Sequence, residues 1–168
     1  MSDEHTMEMN SASSPYGQQL RHLISAGFQA MLTTTAEPFR VMEIVKALAN
    51  DLEYQYITWD VARGLWTNIS QNEETIVNPF HNEDEPFKFC NPNAALDVIP
   101  TIGEIQRMPE NAIIVFQNFE PYWEEPAVRQ RFEHLCQEHL LVCSAYKRPI
   151  VFLQHSEFMH RAVKPYIR

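Results

Sequence analysis

Three observations predict an α/β fold in which helices cover both faces of a three-layer parallel sheet. Segments typical of strands alternate with segments typical of helices along the chain, as in consecutive βαβ units. The strand segments, such as residues 111–117, are continuously apolar, as expected of strands buried on both faces. The helix segments carry an apolar face at a spacing of three or four residues. Right-handed crossovers would then bring the carboxyl ends of the parallel strands to one end of the sheet.

The first half of the chain is predicted to hold two helices and two strands behind a polar arm. The arm has no apolar periodicity, and Gly27 is placed to end the helix that follows it. Thr34, Glu37 and Pro38 have the spacing of a second helix start. The predicted elements are a disordered arm (1–16), a helix (17–26), a strand (28–35), a helix (38–52), a strand (54–60) and a long aperiodic loop (63–89). One domain is expected over residues 17–168.

The second half continues the alternation of helix and strand. Asn91 and Pro92 have the order of an N-cap and a first helical residue, which predicts a short helix. A longer helix is predicted after it, with Pro126 in the first turn. The predicted elements are a helix (91–100), a strand (111–117), a helix (124–141) and a strand (149–156).

Composition argues against several classes of function. The chain has 22 acidic and 13 basic residues, a net charge of −9, so we expect no nucleic-acid partner. Its three cysteines lack CxxC spacing, which predicts neither a disulfide framework nor a zinc ribbon. The sequence shows no long apolar run and no signal-peptide pattern, so we expect a cytoplasmic protein without a membrane partner.

Five segments, taken in order, resemble a known family. They are TTTAEPFRVMEIVKALA, YITWDVARGLW, NPNAALDVI, NAIIVFQNFEPYWEEPAVRQRFEHL and RPIVFLQHS. Together they resemble the amino-terminal module of AAA-family ATPases of the plastid and cyanobacterial type, in which a degenerate P-loop-like module precedes the true ATPase module. The resemblance covers residues 25–157 and implies a P-loop or RecA-like fold. The matching positions are Thr35, Glu37, Arg40, Trp59, Asp60, Arg63, Gly64, Ala95, Leu96, Phe119, Arg129 and Arg131.

The chain departs from that family and from active P-loop proteins in ways that predict loss of catalysis. Asn118 stands where the family's strand usually ends in Asp, and no segment resembles the ATPase module. None of the four glycines lies in a Walker A context, and Glu37 stands at the helix start where a phosphate would bind. We therefore predict a fold that lacks Walker A, has no catalytic, cofactor or metal site, and has no unaided ATPase activity.

The strongest candidate site is a protein-binding patch at the carboxyl end of the sheet. Aromatic side chains are interleaved there with acids, and aromatic anchors with a polar rim are typical of protein interfaces. We expect these rings to be exposed as a group, and the alternative for any single ring, Trp59 above all, is that it packs over the sheet. The interaction candidates are Trp59, Asp60, Arg63, Trp66, Phe119, Glu120, Tyr122 and Trp123.

The sequence thus predicts a non-catalytic interaction or regulatory protein. Its expected partner is an AAA-type ATPase or another copy of the chain. One alternative is a nucleotide-binding protein or hydrolase that uses Asp60, Glu120 and Glu37 at the strand ends, with His155 as a further candidate. Another is an acidic protein of a mobile element that occupies a host factor, for which size and charge are the only indications.

Overall fold

A six-stranded sheet lies at the centre of the fold in a computed structural model of the chain. The structure describes residues 12–62, 64–70, 73–76, 97–107, 111–141, 146–157, 160, 161 and 163–168. The strands are β1 (Ala30–Thr34), β2 (Gln55–Asp60), β3 (Gly64–Ser70), β4 (Glu73–Ile76), β5 (Ala112–Gln117) and β6 (Ile150–Gln154). The helices are α1 (Pro15–Ser25), α2 (Pro38–Asp51), α3 (Val98–Arg107) and α4 (Pro126–Leu141), with 3-10 helices at Glu120–Glu124 and Lys164–Tyr166.

The strand order is β1-β6-β5-β2-β3-β4. The strands β1, β6, β5 and β2 pair with one another in parallel. Beyond β2, the strand β3 pairs antiparallel with β2, and β4 pairs antiparallel with β3. This mixed α/β sheet is consistent with a three-layer P-loop or RecA-like fold, and confirms the predicted fold class. The prediction of a long loop over 63–89 is wrong for residues 64–70 and 73–76, which form β3 and β4. Residues 77–89 lie outside the described part of the chain.

Helices cover both faces of the sheet and form two separate hydrophobic cores. On one face, α1 and α2 bury Leu20, Ile24 and Leu48 against the sheet. On the other face, α3 and α4 bury residues such as Ile102 and Phe132 against the same strands. The central strands β5 and β6 are buried on both faces, which explains their continuously apolar sequences.

The fold begins earlier than the sequence predicted. Residues 12–16 were assigned to the disordered arm, but Ala12 and Ser14 are buried and α1 starts at Pro15. The Ser14 hydroxyl caps the helix by accepting a hydrogen bond from the Gly17 backbone N–H at 3.2 Å. Gly17 is required by packing, since a Cβ there would overlap the carbonyl of Ala12. The predicted boundary at residue 16 is therefore late, and residues 1–11 lie outside the description.

The helix before β5 also differs from its prediction. It spans Val98–Arg107 instead of 91–100, and residues 91–96 are not among those described. Asp97 precedes it, and its Oδ1 accepts a hydrogen bond from the Ile99 N–H at 3.1 Å. Pro100 does not end the helix because it lies in the first turn, where no intrahelical N–H bond is lost. The other predicted helices and strands lie within two residues of the observed bounds.

The last residues of the chain return to β1 after crossing α4. The Tyr166 hydroxyl donates a hydrogen bond to Glu133 Oε1 at 2.9 Å, and Ile167 forms a parallel bridge with Ala30. On α4 itself, Cys136 is buried, and this burial, with the Glu133 carboxylate nearby, raises the pKa of its thiol to about 12. None of the helices in the described part of the chain is both long and apolar enough to cross a membrane.

Candidate functional site at the carboxyl end of the sheet

The four parallel strands end together, as the topology requires. Their last residues are Thr34, Gln154, Gln117 and Asp60, in the order of the strands across the sheet. We call the residues that follow them the carboxyl end of the sheet. Its centre is formed by residues 117–125 after β5 and 154–157 after β6, and its two flanks by residues 35–40 after β1 and 60–62 after β2.

Most of the aromatic side chains predicted to be exposed at this end of the sheet are instead part of the core. Trp59, Phe119 and Trp123 each have 0% of their surface exposed, so the prediction of an exposed patch is wrong for these three. Tyr122 is half-buried. Trp66 lies in β3 opposite Thr58, but its side chain is not among those described, and Arg63 lies outside the described residues.

These rings belong to an aromatic cluster that lies beneath the centre. Phe119 lies 4.7 Å from Trp123 and 5.0 Å from Phe152, measured between ring centroids. Such edge-to-face and tilted pairs each contribute about 0.5–1.5 kcal/mol beyond the burial of apolar surface. The aromatic cluster consists of Trp59, Phe116, Phe119, Tyr122, Trp123, Phe132 and Phe152. These rings therefore stabilise the fold at this end of the sheet.

Asn118 explains how the chain turns from β5 into the aromatic cluster. Its φ angle is +53°, in the left-handed region that Asn tolerates better than most residues. Its backbone N–H donates a hydrogen bond to the Leu153 carbonyl at 3.0 Å, which fixes the turn against β6. The 3-10 helix that follows buries Trp123. Asn118 therefore makes a backbone turn at the end of β5, at the position where the sequence resemblance implied an acid.

Glu120 connects the segment after β5 to the end of β6. Its Oε1 accepts hydrogen bonds from the backbone N–H groups of His155 and Ser156, each at 3.0 Å. The Ser156 hydroxyl lies 3.2 Å from the same oxygen and donates to it. Two consecutive backbone N–H groups form an anion-binding concavity, and here a carboxylate of the same chain fills it. The sequence identified Glu120 as a candidate, but could not show that its partners lie 35 and 36 residues away.

On the β1 flank, Glu37 is the N-cap residue of α2, but its carboxylate makes no capping hydrogen bond. It forms an ion pair with Arg40 at 3.0 Å instead. Thr35 Oγ1 accepts the Glu37 backbone N–H at 2.9 Å, so the helix start depends on Thr35 and not on the predicted Thr34 spacing. The Glu37 side chain is 66% exposed, so the ion pair contributes only about 0–1 kcal/mol.

Exposed apolar side chains lie on both flanks. Phe39, in the first turn of α2, is 80% exposed, and Val61, in the turn after β2, is 58% exposed. Within the described residues, the one other large apolar side chain that is similarly exposed is Tyr146, at 39%. Asp60 shapes the β2 flank because its Oδ1 accepts the Ala62 N–H at 2.9 Å. Sequence reasoning missed Phe39 and Val61, which have no signal beyond their proximity to strand ends.

Titratable side chains at this end do not converge on one point. In the part of the chain that the structure describes, no group of three or more His, Cys, Asp or Glu side chains could hold a metal ion. His155 is exposed and lies in the centre with Glu120, whereas Glu37 and Asp60 lie on opposite flanks. One polar atom here is unusual: Gln117 Nε2, at the end of β5, is buried and has no hydrogen-bond partner among the described residues.

Comparison with protein families gives a match that covers most of the described fold. The matching family is the SpoVK-like AAA ATPase, N-terminal domain, over residues 16–158. Comparisons with curated proteins and with solved structures give no match. The match is to an N-terminal domain, as the resemblance over residues 25–157 implied, and includes the sheet, α1–α4 and the centre and flanks described above. The chain belongs to the family of SpoVK-like AAA ATPase N-terminal domains.

Proposed function

We propose that this chain is a non-catalytic interaction module that uses the flanks of the carboxyl end to bind a protein. The observation that carries the proposal is the exposure of Phe39 at 80% and Val61 at 58% on this end of the sheet. Apolar side chains at such exposure gain free energy when a partner covers them, about 25 cal/mol per Å² of apolar surface removed from water. Open α/β sheets bind ligands beyond the carboxyl ends of their strands, which is where both residues lie.

The centre supports a binding role over a catalytic one. Glu120 is held by backbone N–H groups, and Asn118 makes a turn at the end of β5. Magnesium-dependent phosphoryl transfer needs a carboxylate that is available to the metal and a loop that cradles phosphate. The residues after β1 supply Thr35, Glu37 and Pro38 in place of that loop. Unaided ATP hydrolysis therefore has no support from the residues at this end.

The charge of the chain indicates what kind of surface the partner presents. Glu124, Glu125 and Glu157 are exposed at the carboxyl end, and the chain carries a net charge of −9. Two copies would repel each other at long range, whereas a basic surface with apolar groups at its centre would be attracted. Between the two predicted partners we therefore favour an AAA-type ATPase that presents such a surface over a second copy.

A binding comparison with matched variants tests this function. An AAA-type ATPase from the same source as the chain would be titrated with wild-type protein, with the double variant F39S/V61S and with Y146S. Wild type and Y146S should bind alike, while F39S/V61S should bind at least about tenfold more weakly, as expected for the loss of two apolar contacts. Equal binding by all three proteins would rule out the flanks as the interface. Light scattering of the purified chain tests self-association in the same samples.

One observation favours a second candidate function, the binding of a nucleotide or similar small molecule without hydrolysis. Gln117 Nε2 is a buried donor at the end of β5 to which none of the residues seen in the structure offers an acceptor, and a ligand acceptor group would satisfy it. Thermal unfolding with and without ADP, ATP and Mg²⁺ tests this idea. A shift of several degrees in the wild type that is absent in Gln117→Leu would support it, and an unchanged transition would dismiss it. The Asp60→Ala variant tests the predicted role of that acid in the same assay.

A further inference from the structure

Three hydrogen-bond donors at the end of β6 converge on a single carboxylate oxygen. They are the backbone N–H groups of His155 and Ser156, each 3.0 Å from Glu120 Oε1, and the Ser156 hydroxyl at 3.2 Å from the same atom. We call these three donors the β6 concavity. Successive backbone N–H groups that point to one side bind anions, because their dipoles add at one point. The β6 concavity is therefore an anion site, and Glu120 occupies it in this structure.

The strand that carries the β6 concavity is fixed without the help of Glu120. The Thr35 N–H donates to the Gln154 carbonyl, and the Asn118 N–H donates to the Leu153 carbonyl, each at 3.0 Å. These bonds hold the end of β6 to the segments that follow its two neighbours, β1 and β5. The donors are thus preorganised, and we expect them to keep their geometry when the Glu120 carboxylate is absent.

Glu120 itself is held only through one of its two carboxylate oxygens. Among the described residues, its Oε2 has no hydrogen-bond partner, and no cation forms an ion pair with it. The 3-10 helix that begins at Glu120 is anchored elsewhere, because Trp123 is fully buried and Arg129 donates a hydrogen bond to the Trp123 carbonyl at 2.6 Å. The Glu120 carboxylate can therefore leave the β6 concavity without unfolding the segment that carries it.

The charges around the β6 concavity favour a ligand with one negative charge. Glu124, Glu125 and Glu157 are exposed at the same end of the sheet, and Glu157 directly follows Ser156. An incoming carboxylate places at the donors the same single charge that they hold now. A phosphate dianion places two charges beside these acids and is repelled more strongly. The ligand class that suits the site is therefore a carboxylate.

We propose that the β6 concavity binds the carboxylate of another molecule, and that Glu120 closes this site as a competitor built into the chain. The carboxylate belongs to a small organic acid or to an acidic side chain of a peptide. A group of the same chain competes at a high effective concentration, so a ligand enters only when Glu120 moves out. This binding site goes beyond the proposed docking surface, because the exposed side chains of the flanks take no part in it.

Glu120→Ala opens the site for a direct test with sodium acetate. Amide shifts of the full-length variant are followed by NMR while acetate replaces chloride at constant ionic strength. The His155 and Ser156 amides should shift saturably, with a midpoint on the order of 0.1 M, and the wild type should bind at least about tenfold more weakly. Glu124→Ala, which removes a neighbouring acid and leaves the concavity occupied, should bind like the wild type. No saturable shift in Glu120→Ala, or equal binding by the two variants, would overturn the proposal.

Two further substitutions keep the test decisive if Glu120→Ala does not fold. Glu120→Gln retains a neutral acceptor, which competes less well than a carboxylate, so this variant should bind acetate about fivefold more tightly than the wild type. Equal binding by these two proteins would contradict the role of Glu120 as a competitor. Ser156→Ala, added to either Glu120 variant, removes one donor and should weaken acetate binding about fivefold. Unchanged binding would mean that acetate does not bind at the β6 concavity.

Three more ligands identify the source of the carboxylate in the same assay. The blocked peptide Ac-Ala-Glu-Ala-NH2 carries a single carboxylate, and Ac-Ala-Gln-Ala-NH2 is its neutral control. Tighter binding of the Glu peptide than of acetate assigns the ligand as a peptide, whereas equal or weaker binding assigns it as a small acid. Equal binding of the two peptides, or tighter binding of inorganic phosphate than of acetate, would overturn the assignment to a carboxylate.

Discussion

The centre and the flanks of the carboxyl end lie on the same end of one sheet but differ in chemistry. In the centre, Glu120 accepts hydrogen bonds from the end of β6, and the aromatic cluster fills the space beneath. On the flanks, Phe39 and Val61 are largely exposed. In this protein, therefore, the region in which an open α/β sheet ordinarily binds a ligand is occupied by the protein's own groups. The apolar side chains that are largely exposed at this end lie to either side.

The largest expected effect comes from removing a ring of the aromatic cluster. Trp123→Ala should lower the free energy of unfolding by about 3–5 kcal/mol, because Trp123 is fully buried against Phe119 and Phe152. Urea denaturation followed by circular dichroism measures the loss. Phe39→Ala, which removes an exposed ring of similar type, is the matched control. If the two variants lost equal stability, the distinction between centre and flank would fail.

A smaller effect is expected from the carboxylate that ties the centre together. Glu120→Ala should cost about 1.5–3 kcal/mol, the usual range for a hydrogen bond to a charged group, because two backbone N–H groups lose their acceptor. Glu120→Gln keeps a carbonyl oxygen and should retain much of that stability. Denaturation midpoints of both variants provide the measurement. A Glu120→Ala protein as stable as the wild type would mean that water replaces the carboxylate without cost.

The turn at Asn118 should contribute about 1 kcal/mol. Asn118→Ala places a residue that disfavours the left-handed region at a φ of +53°, so stability should fall by about 1–2 kcal/mol. Asn118→Gly should stay within about 0.5 kcal/mol of the wild type. Asn118→Asp places an acid at the end of this strand, yet should produce no magnesium-dependent ATPase activity. Steady phosphate release by Asn118→Asp would contradict this prediction, since it would show that ATP and magnesium can reach the centre despite the contacts described there.

The smallest effects on stability are expected on the flanks. Phe39→Ser and Val61→Ser should each change the free energy of unfolding by no more than about 0.5 kcal/mol, because their side chains contact solvent more than protein. Thermal unfolding of the single variants checks this. A loss above about 1 kcal/mol from either variant would show that the residue supports the fold, and its exposure would no longer favour a docking role.

The sequence was sufficient to predict those elements whose pattern of apolar residues depends on burial alone. The run from Ile113 to Phe116 predicted β5 because a central parallel strand is apolar on both faces. It was insufficient for β3, whose polar residues Thr67, Asn68 and Ser70 gave no continuous apolar run. It also assigned Ser14 to a disordered arm, since a single capping hydroxyl has no periodicity to detect.

The candidate site was harder to predict than the fold because it depends on contacts between distant residues. Phe119 and Trp123 follow a strand end, and a sequence cannot show that a left-handed turn at Asn118 leads the chain back over the core. Likewise, the His155 backbone N–H can donate a hydrogen bond to Glu120 only because β5 and β6 are neighbours in the sheet, which the sequence does not show. Of the predicted interaction residues, Asp60, Glu120 and Tyr122 remain partly accessible, and a role in binding stays a prediction for the whole set.

The buried thiol of Cys136 on α4 offers a way to measure how often this helix separates from the sheet. With its pKa raised to about 12, Cys136 carries almost no thiolate in the folded chain at pH 8, and the reactive form appears only when α4 separates from the sheet. In a C90S/C143S background, the rate at which a disulfide reagent labels Cys136 is therefore the labelling rate of an unfolded thiol multiplied by the fraction of molecules that are open. The equilibrium between the packed and the open state of α4 can thus be measured under native conditions, without denaturant.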